Sequence, residues 1–272
     1  MKFAICNETF GNWSLEDSLE FAAKAGYTGW EVAPFTLGED ITQLSSVQRS
    51  EYRAAVTSAG LEVIGLHWLL AKTSGFHLTS ADAPTRRATS EYLGELARLC
   101  HDLGGSVMVL GSPQQRNRPD GQSEEEAYMH AANVLRAVVK TLEKQNVKIA
   151  LEPLGPEETN FMNTAADARR LQELVGSDMI GLHLDMKAMS SEEQPIAEII
   201  HANKDWLLHF HANDPNRQGP GMGELEIGPV FEALGESGYD GWVSVEVFDY
   251  EPGVEKIVTE SIANMRSVLT VA

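Results

Sequence analysis

The chain has 272 residues, of which 43% are hydrophobic and 22% charged, a composition typical of a folded globular domain rather than a disordered or fibrous chain. Its 40 acidic residues against 21 Lys and Arg give a formal net charge of -19, which would repel nucleic-acid phosphates and anionic membrane surfaces. No segment approaches the roughly 20 apolar residues that cross a bilayer. We therefore predict no nucleic-acid partner and no membrane partner.

The cysteine content indicates a reducing compartment. Cys6 and Cys100 are too few for a disulfide framework, and neither lies in a CxxC motif. After Met1 and Lys2 only four apolar residues precede Asn7, a run too short for a signal peptide. These features favour a cytoplasmic protein and argue against a metal site built from thiolates.

Short apolar runs alternate with amphipathic stretches along the whole chain, which is typical of repeated strand–helix units. The predicted strands are Lys2–Cys6, Gly29–Ala33, Glu62–His67, Ser106–Leu110, Lys148–Leu154, Ile180–Met186, Leu207–Asn213 and Gly241–Val247. Helix boundaries are marked between them. Ser123 and Glu126 have the spacing of a capping box, and Gly26 and Gly176 stand where helices should end.

Eight strand–helix units in about 250 residues match the size of a (β/α)8 TIM barrel. The alternative, a doubly wound open sheet, would carry a glycine-rich phosphate turn after an early strand, and residues 7–12 do not form one. Neither a GxGxxG nor a Walker-type motif occurs, so a nucleotide cofactor has no support. Because no linker-like stretch divides the chain, we predict an α/β fold with a single TIM-barrel domain over residues 1–272.

The active site of such a barrel is built at the carboxyl ends of its strands. There the sequence places Asn7, Glu31, His67, Ser112, Glu152, Asp185, His211 and Glu246. The last four follow apolar runs that should be barrel core, where an unpaired charge is costly to bury. One acidic strand end is often a helix cap or a loop anchor, but four polar ends in succession favour a shared divalent cation. Three carboxylates and one imidazole favour Mn²⁺, Mg²⁺ or Co²⁺ over a thiolate-type zinc site.

Four stretches resemble a known family of sugar enzymes. These are 150–154 (ALEPL), 184–185 (LD), 209–214 (HFHAND) and 245–248 (VEVF). They are similar to the sugar phosphate isomerase/epimerase family, the xylose isomerase-like TIM barrels, and within it to the ketose 3-epimerases of the D-tagatose/D-psicose type. The similarity extends over nearly the whole chain.

The resemblance implies one Mn²⁺-type ion, with Mg²⁺, Co²⁺ or Zn²⁺ as alternatives, and a homodimer or homotetramer. The implied metal ligands are Glu152, Asp185, His211 and Glu246. In the epimerases the residues matching Glu152 and Glu246 also exchange protons with opposite faces of a sugar carbon, which makes these two the predicted catalytic residues. Glu158 and Arg217 match positions that contact the sugar. The epimerases have a histidine three residues after the strand-six aspartate, and here Ala188 stands at that position.

Other residues are predicted to support this site. His67, Trp68, Lys187 and Phe248 are candidate substrate contacts at the strand ends. His183 and His209 lie two residues before Asp185 and His211, so strand alternation places each behind a ligand as a supporting histidine. Arg116 and Arg118, in a polar loop after the fourth strand, and Arg217 are candidates for phosphate recognition, with solvated loop charges as the alternative.

These residues predict a divalent-metal-dependent sugar isomerase or epimerase that moves a proton next to the carbonyl of a keto-sugar through a cis-enediolate. A lyase or hydratase on 3-keto-glycosides would use the same site and is favoured by Ala188, and a hydroxypyruvate-isomerase-like enzyme is a further alternative. An endonuclease IV-like nuclease should carry a histidine after strand four, where Leu110 to Pro113 has none. A non-catalytic binding protein is the fourth hypothesis.

Overall fold

The computed structural model describes residues 1–269 and shows a closed barrel of eight parallel strands. The strands are β1 (Lys2–Cys6), β2 (Gly29–Val32), β3 (Glu62–Leu66), β4 (Val107–Leu110), β5 (Lys148–Leu151), β6 (Ile180–Asp185), β7 (Leu207–Ala212) and β8 (Trp242–Val245). Each strand pairs with its neighbours in chain order, and β1 pairs with β8 to close the barrel. The predicted (β/α)8 architecture is confirmed. Positions 270–272 of the predicted domain lie outside the described residues.

Helices follow the strands and form the outer layer. They are α1 (Leu15–Ala25), α2 (Ser46–Ser58), α3 (Ala83–Leu103), α4 (Glu124–Gln145), α5 (Ala165–Val175), α6 (Met186–Met189), α7 (Ile196–Asn203), α8 (Ile227–Glu236) and α9 (Val254–Leu269). The capping box of Ser123 and Glu126 opens α4, and Gly26 and Gly176 end α1 and α5 in the left-handed region, as predicted. None of these helices, within residues 1–269, is long and apolar enough to cross a membrane.

Most predicted strands extend past the observed pairing at their carboxyl ends. The strand predicted to reach Leu154 ends at Leu151, and the one predicted to reach Val247 ends at Val245. The backbone N–H of Glu152 still donates to the carbonyl of Leu110 at 3.3 Å, after which the chain leaves the sheet. Glu152 and Glu246 therefore stand just beyond the last ladder residues, where a side chain can turn over the barrel mouth.

Alternation along the strands separates an apolar outer layer from a polar interior. In β6, Leu182 and Leu184 belong to the apolar core, while His183 and Asp185 between and after them join the polar cluster of the barrel mouth. The strand register shifts between Leu182 and His183 on β6, and again between Trp30 and Glu31 on β2. Irregularities of this kind bend a strand and change the direction of the side chain that follows. Here the side chains that follow are those of His183 and Glu31, which both turn toward the barrel interior.

The pairing of β3 with β4 brings the two backbones so close together that one position must be a glycine, and this can be tested through stability. A Cβ on Gly65 would lie 2.1 Å from the carbonyl oxygen of Val107, whereas one on Gly94, inside α3, meets nothing closer than 3.9 Å. We expect Gly65→Ala to lower the free energy of unfolding by about 1–3 kcal/mol because backbone atoms must move apart. Gly94→Ala, the matched control, should raise it by about 0.5–1 kcal/mol through helix propensity. Equal stabilities of the two variants in urea unfolding would contradict this account.

Candidate active site and metal centre

The predicted ligands converge at the carboxyl end of the barrel. Glu152, Asp185 and His211 each offer one ligand atom, and these atoms lie within 4.8 Å of one another. Glu246 joins them through its Oε2, which lies 3.0 Å from Nδ1 of His211. All four side chains are almost completely buried, with 3% exposure at most. Residues up to 94 positions apart in the chain thus share one centre because β5, β6, β7 and β8 pair side by side in chain order.

The electrostatics of this centre show how strongly its charges interact. Burial, followed by the carboxylates of Glu246 and Asp185, raises the pKa of Glu152 well above its usual range. Burial would also raise the pKa of Glu246, but the neighbouring His211 outweighs it and holds the pKa of Glu246 low. Burial opposes protonation of His211, yet Glu246 and Glu31 raise its pKa. The raised pKa values of Glu152 and His211 show that the cluster favours the uptake of protons.

The donor set fits a divalent cation. Oε1 of Glu246 and both ring nitrogens of His183 are buried and have no hydrogen-bond partner among residues 1–269. Buried polar atoms normally find partners, so unpaired ligand-type atoms around one centre indicate a missing ligand. Carboxylate oxygens with imidazole nitrogen match the preferences of Mn²⁺, Mg²⁺ or Co²⁺.

Asp185 and Glu152 are held by their surroundings as well as by their strands. Asp185 ends β6 and caps α6, since its Oδ1 accepts from the backbone N–H of Ala188 at 2.8 Å and its Oδ2 from the amide of Asn213 at 2.5 Å. A Cβ on Gly111 would lie 1.4 Å from Oε2 of Glu152, so the absence of a side chain there makes room for this carboxylate. These contacts fix both carboxylates without using all of their oxygen lone pairs.

Arg116 is buried beneath the site and does not form a phosphate pocket. Its guanidinium is 1% exposed and donates to the backbone carbonyl of Glu152 at 2.5 Å and of Met162 at 3.4 Å. Burial lowers its pKa to about 10. The predicted phosphate contact is therefore corrected: Arg116 supports the backbone that carries Glu152. Arg118 likewise binds a backbone carbonyl, that of Gln122, at 2.9 Å.

Glu31, which the sequence analysis placed at a strand end without assigning it a role, supports the site. It is fully buried, and its carboxylate lies 2.8 Å from Nε2 of His209 and 3.2 Å from Nε2 of His211. These two histidines outweigh burial and hold the pKa of Glu31 well below its usual range. A carboxylate at Nε2 keeps the proton on that nitrogen and leaves Nδ1 of His211 facing Glu246. The available signal was a glutamate inside the apolar strand β2.

The two predicted supporting histidines occupy different places. His209 lies behind His211 and binds Glu31, as expected of a supporting residue. His183 instead lies with Glu152, Asp185 and His211 in the ligand cluster, with its Nε2 3.7 Å from Oε1 of Glu152. Burial and the neighbouring histidines lower the pKa of His183 well below its usual range, so its ring stays neutral. A neutral imidazole is the form that binds metals.

One wall of the mouth carries the aromatic residues predicted to contact substrate. The rings of Trp68 and Phe248 stack with centroids 5.7 Å apart, and Trp68 also packs against Phe35. Next to this wall, Nε2 of His67 lies 2.8 Å from Oε2 of Glu8, a residue that the sequence analysis did not single out. Glu8 and His67 lie close to Glu246. The mouth therefore offers an apolar face and, beside it, a buried polar pair.

The remaining predicted contacts lie next to the Phe248 side of this aromatic wall. Nζ of Lys187 lies 2.6 Å from Oε2 of Glu158 and 4.8 Å from the centroid of the Phe248 ring. Arg217 has a φ of 74°, a conformation that is strained for a residue with a side chain. Its carbonyl accepts the backbone N–H groups of Phe248 at 2.8 Å and Asp249 at 2.9 Å. These contacts tie the loop after β7 to the segment after β8.

Comparisons with known proteins identify the family of the chain. The family model described as a xylose isomerase-like TIM barrel matches residues 19–268. The chain belongs to this family. A probable ketose 3-epimerase of Synechocystis sp. is 30% identical over 182 residues, which cover 65% of this chain and 62% of that protein, so the chain spans less than two thirds of that relative. A 3-dehydro-D-guloside 4-epimerase of Escherichia coli is 25% identical over 90% of this chain and 92% of that protein.

A solved structure of similar shape supports the fold. The crystal structure of a D-psicose 3-epimerase from Clostridium cellulolyticum H10, determined with D-tagatose, superposes with a TM-score of 0.86 at 22% identity and covers 99% of both chains. The predicted resemblance to xylose isomerase-like barrels of the ketose 3-epimerase type is therefore confirmed. The roles of the individual site residues remain predictions.

The contact of Glu31 with His211 gives a testable prediction for metal binding. We expect Glu31→Gln to weaken the binding of Mn²⁺ by about 10–100-fold, because the amide no longer holds the His211 tautomer. Chelator competition on the purified protein measures this affinity without any substrate. Glu62→Gln, at an exposed position at the amino end of β3, is the matched control and should bind Mn²⁺ as the unmodified protein does. An unchanged affinity in Glu31→Gln would contradict the positioning role.

The buried cysteines give a second prediction. Both are fully buried, and burial raises the pKa of Cys6 to about 11. The thiolate is the reactive form, so we expect neither of the two thiols of the chain to react with a thiol reagent at pH 8 while it is folded. Both should react after unfolding in guanidinium chloride. Rapid labelling of the native protein would show that the barrel mouth exposes Cys6.

Proposed function

We propose that this protein is a divalent-metal-dependent sugar epimerase or isomerase that moves a proton next to the carbonyl of a keto-sugar through a cis-enediolate. The observation that carries the proposal is the convergence of two buried carboxylates, Glu152 and Glu246, with Asp185 and His211 at one barrel mouth. The similarity to a probable ketose 3-epimerase and to a 3-dehydro-D-guloside 4-epimerase supports a proton transfer at a sugar carbon.

The proposed ligands of the ion are Glu152, Asp185, His211 and Glu246, and His183 is a further candidate because of its unpaired ring nitrogens. We propose Mn²⁺ from the oxygen-rich donor set, with Mg²⁺, Co²⁺ or Zn²⁺ as alternatives. When bound, such an ion acts as a Lewis acid that makes the proton beside the carbonyl more acidic. Glu31 would hold His211 in the orientation that this site needs.

The proton transfers are assigned to the two glutamates. One carboxylate removes the proton on one side of the sugar carbon, and the other returns a proton to the opposite side, which inverts that carbon. Return of the proton to the neighbouring carbon would instead give an aldose–ketose isomerisation. Both carboxylates are buried, so bulk water does not compete for these protons.

The walls of the mouth would orient the sugar. The stacked pair of Trp68 and Phe248 presents an apolar face to the C–H side of the substrate. The ion pair of Lys187 and Glu158 and the His67–Glu8 pair offer donors and acceptors for its oxygens. Arg217 adds a guanidinium at the rim. Fixing the substrate between these groups would align its C–H bond with the carboxylates.

The partner and the cellular location are proposed from the composition, and the oligomeric state from the family resemblance. The net charge of -19 and the content of only two cysteines support a sugar as the partner and the cytoplasm as the location, with no nucleic-acid or membrane partner. A homodimer or homotetramer follows the resemblance to the ketose 3-epimerases.

Solvent exchange tests the function. The protein, freed of metal by chelation and reloaded with Mn²⁺, is incubated in D₂O with ketoses and keto-glycosides, and the products are analysed by NMR after removal of the ion. We expect metal-dependent uptake of deuterium beside the carbonyl, together with an epimer or isomer. Glu152→Gln and Glu246→Gln should each lower kcat by about 10²–10⁴-fold, and Glu62→Gln should not.

Three results would contradict the proposal. They are the absence of exchange with every keto-sugar, exchange that survives complete removal of the metal, and exchange that is unaffected by both glutamine variants. An enone absorbing in the ultraviolet would identify the lyase or hydratase alternative, which removes the same proton but expels a substituent.

A further inference from the structure

The loop that carries Arg217 is held from outside the barrel mouth. This loop, residues 213–226, follows β7 and exposes Arg217 at its tip, whereas Gly219 and Pro220 behind the tip are buried. Together with Gly221 these two residues form the foot of the loop. The foot lies against α9, the last helix of the outer layer. Contacts between α9 and the foot therefore bear on where Arg217 stands at the rim.

The foot lies so close to α9 that it has no room for side chains. A Cβ on Gly219 would lie 1.9 Å from Oγ of Ser261, and one on Gly221 would lie 3.0 Å from Nδ2 of Asn264. Gly221 also has a φ of 73°, a conformation that a residue with a side chain rarely adopts. The two glycines therefore allow the loop backbone to lie directly on the helix.

Asn264 gives this contact a direction. Its Nδ2 donates to the backbone carbonyl of Pro220 at 3.0 Å. Ser261, three residues earlier on α9, also faces the foot, but its fully buried hydroxyl has no hydrogen-bond partner within residues 1–269. The helix itself is firmly placed, because Ile262 and Met265 pack into the core. Ser261 thus contributes shape to the contact, whereas Asn264 contributes an oriented bond from a fixed element.

Hydrogen bonds across the loop link the foot to the tip. The backbone N–H of Asp214 donates to the carbonyl of Gln218 at 3.0 Å, and that of Arg217 donates to the carbonyl of Asp214 at 2.7 Å. The side-chain amide of Asn216 donates to the carbonyl of Met222 at 3.2 Å. Arg217 lies within this network and has a φ of 74°. A residue in such a strained conformation keeps it only while its surroundings enforce it.

The tip is also held by the segment that follows β8. The carbonyl of Arg217 accepts the backbone N–H groups of Phe248 and Asp249, and Nε2 of Gln218 donates to Oδ2 of Asp249 at 2.9 Å. This segment leads directly into α9. Both contacts that fix the loop, one at the tip and one at the foot, therefore come from the continuous stretch 246–269.

We propose that Asn264 is a positioning residue for the substrate: its bond to Pro220 holds the loop so that the Arg217 guanidinium stands at the rim of the sugar site. This assignment rests on the proposed function, in which Arg217 contacts the sugar. Asn264 lies in the outer layer and acts through Arg217 rather than on the sugar itself. It should therefore determine how tightly the sugar is bound and leave the proton transfers at Glu152 and Glu246 unchanged.

A double-mutant cycle separates this role from a general loss of stability. On the ketose that exchanges deuterium fastest, we expect Asn264→Ala to raise KM about three- to tenfold, as the loss of one hydrogen bond predicts, and to leave kcat within about twofold. In an Arg217→Ala background the same substitution should not change KM, because the group that Asn264 positions is gone. Ser261→Ala, the matched control on the same helix, removes a hydroxyl without a partner and should leave KM unchanged.

The affinity for Mn²⁺, measured by chelator competition, should be the same in all of these variants and shows that they are folded. The positioning role would be overturned by an unchanged KM in Asn264→Ala, by an equal rise of KM with and without Arg217, by an equal effect of Ser261→Ala, or by weaker Mn²⁺ binding, which would place the effect at the metal centre. If no ketose exchanges deuterium, the proposed function fails and the positioning role fails with it. Exchange with an unaltered KM in Asn264→Ala removes only the positioning role.

Discussion

Burial of negative charge at the barrel mouth is the constraint around which the site is arranged. Glu31, Glu152, Asp185 and Glu246 are each 3% exposed or less, so water cannot neutralise them. The structure offers three kinds of compensation: the histidines around Glu31, the backbone and amide donors on Asp185, and a set of unpaired ligand atoms suited to a cation. Each kind acts on a different carboxylate, and their arrangement gives the centre its geometry.

The same constraint explains features outside the centre. Gly111 is needed because any Cβ would occupy the position of the Glu152 carboxylate. Arg116 is buried because the backbone under Glu152 needs a donor where no strand partner remains. The register shifts before Glu31 and His183 turn these residues inward at the cost of regular pairing. These local irregularities all serve the placement of polar groups over the barrel.

The barrel and four of the site residues could be predicted from the sequence because they depend on the spacing of apolar residues and on the order of the strands. Eight apolar runs gave the barrel, and the position of each strand end gave Glu152, Asp185, His211 and Glu246. Contacts between strands that are not neighbours were not readable. Glu31 reaches His209 across 178 positions because the barrel is closed, and no spacing rule encodes that pairing. Arg116 was interpreted as a candidate phosphate contact, with a solvated loop charge as the alternative, because the sequence does not show that its guanidinium is buried against the carbonyls of Glu152 and Met162.

Asp185 is a proposed metal ligand and also caps the amino end of α6, which has a consequence for how the site can change. Its carboxylate accepts a hydrogen bond from the backbone N–H of Ala188, and Ala188 lines a pocket together with Lys187 and Arg217. Reshaping α6 to fit another ligand therefore disturbs a proposed metal ligand, whereas exchange of Trp68 or Phe248 alters rings that contact each other, Phe35 and Lys187 rather than Asp185. Selection for new substrates should meet less resistance on the aromatic side, so variation among paralogues is expected to concentrate there.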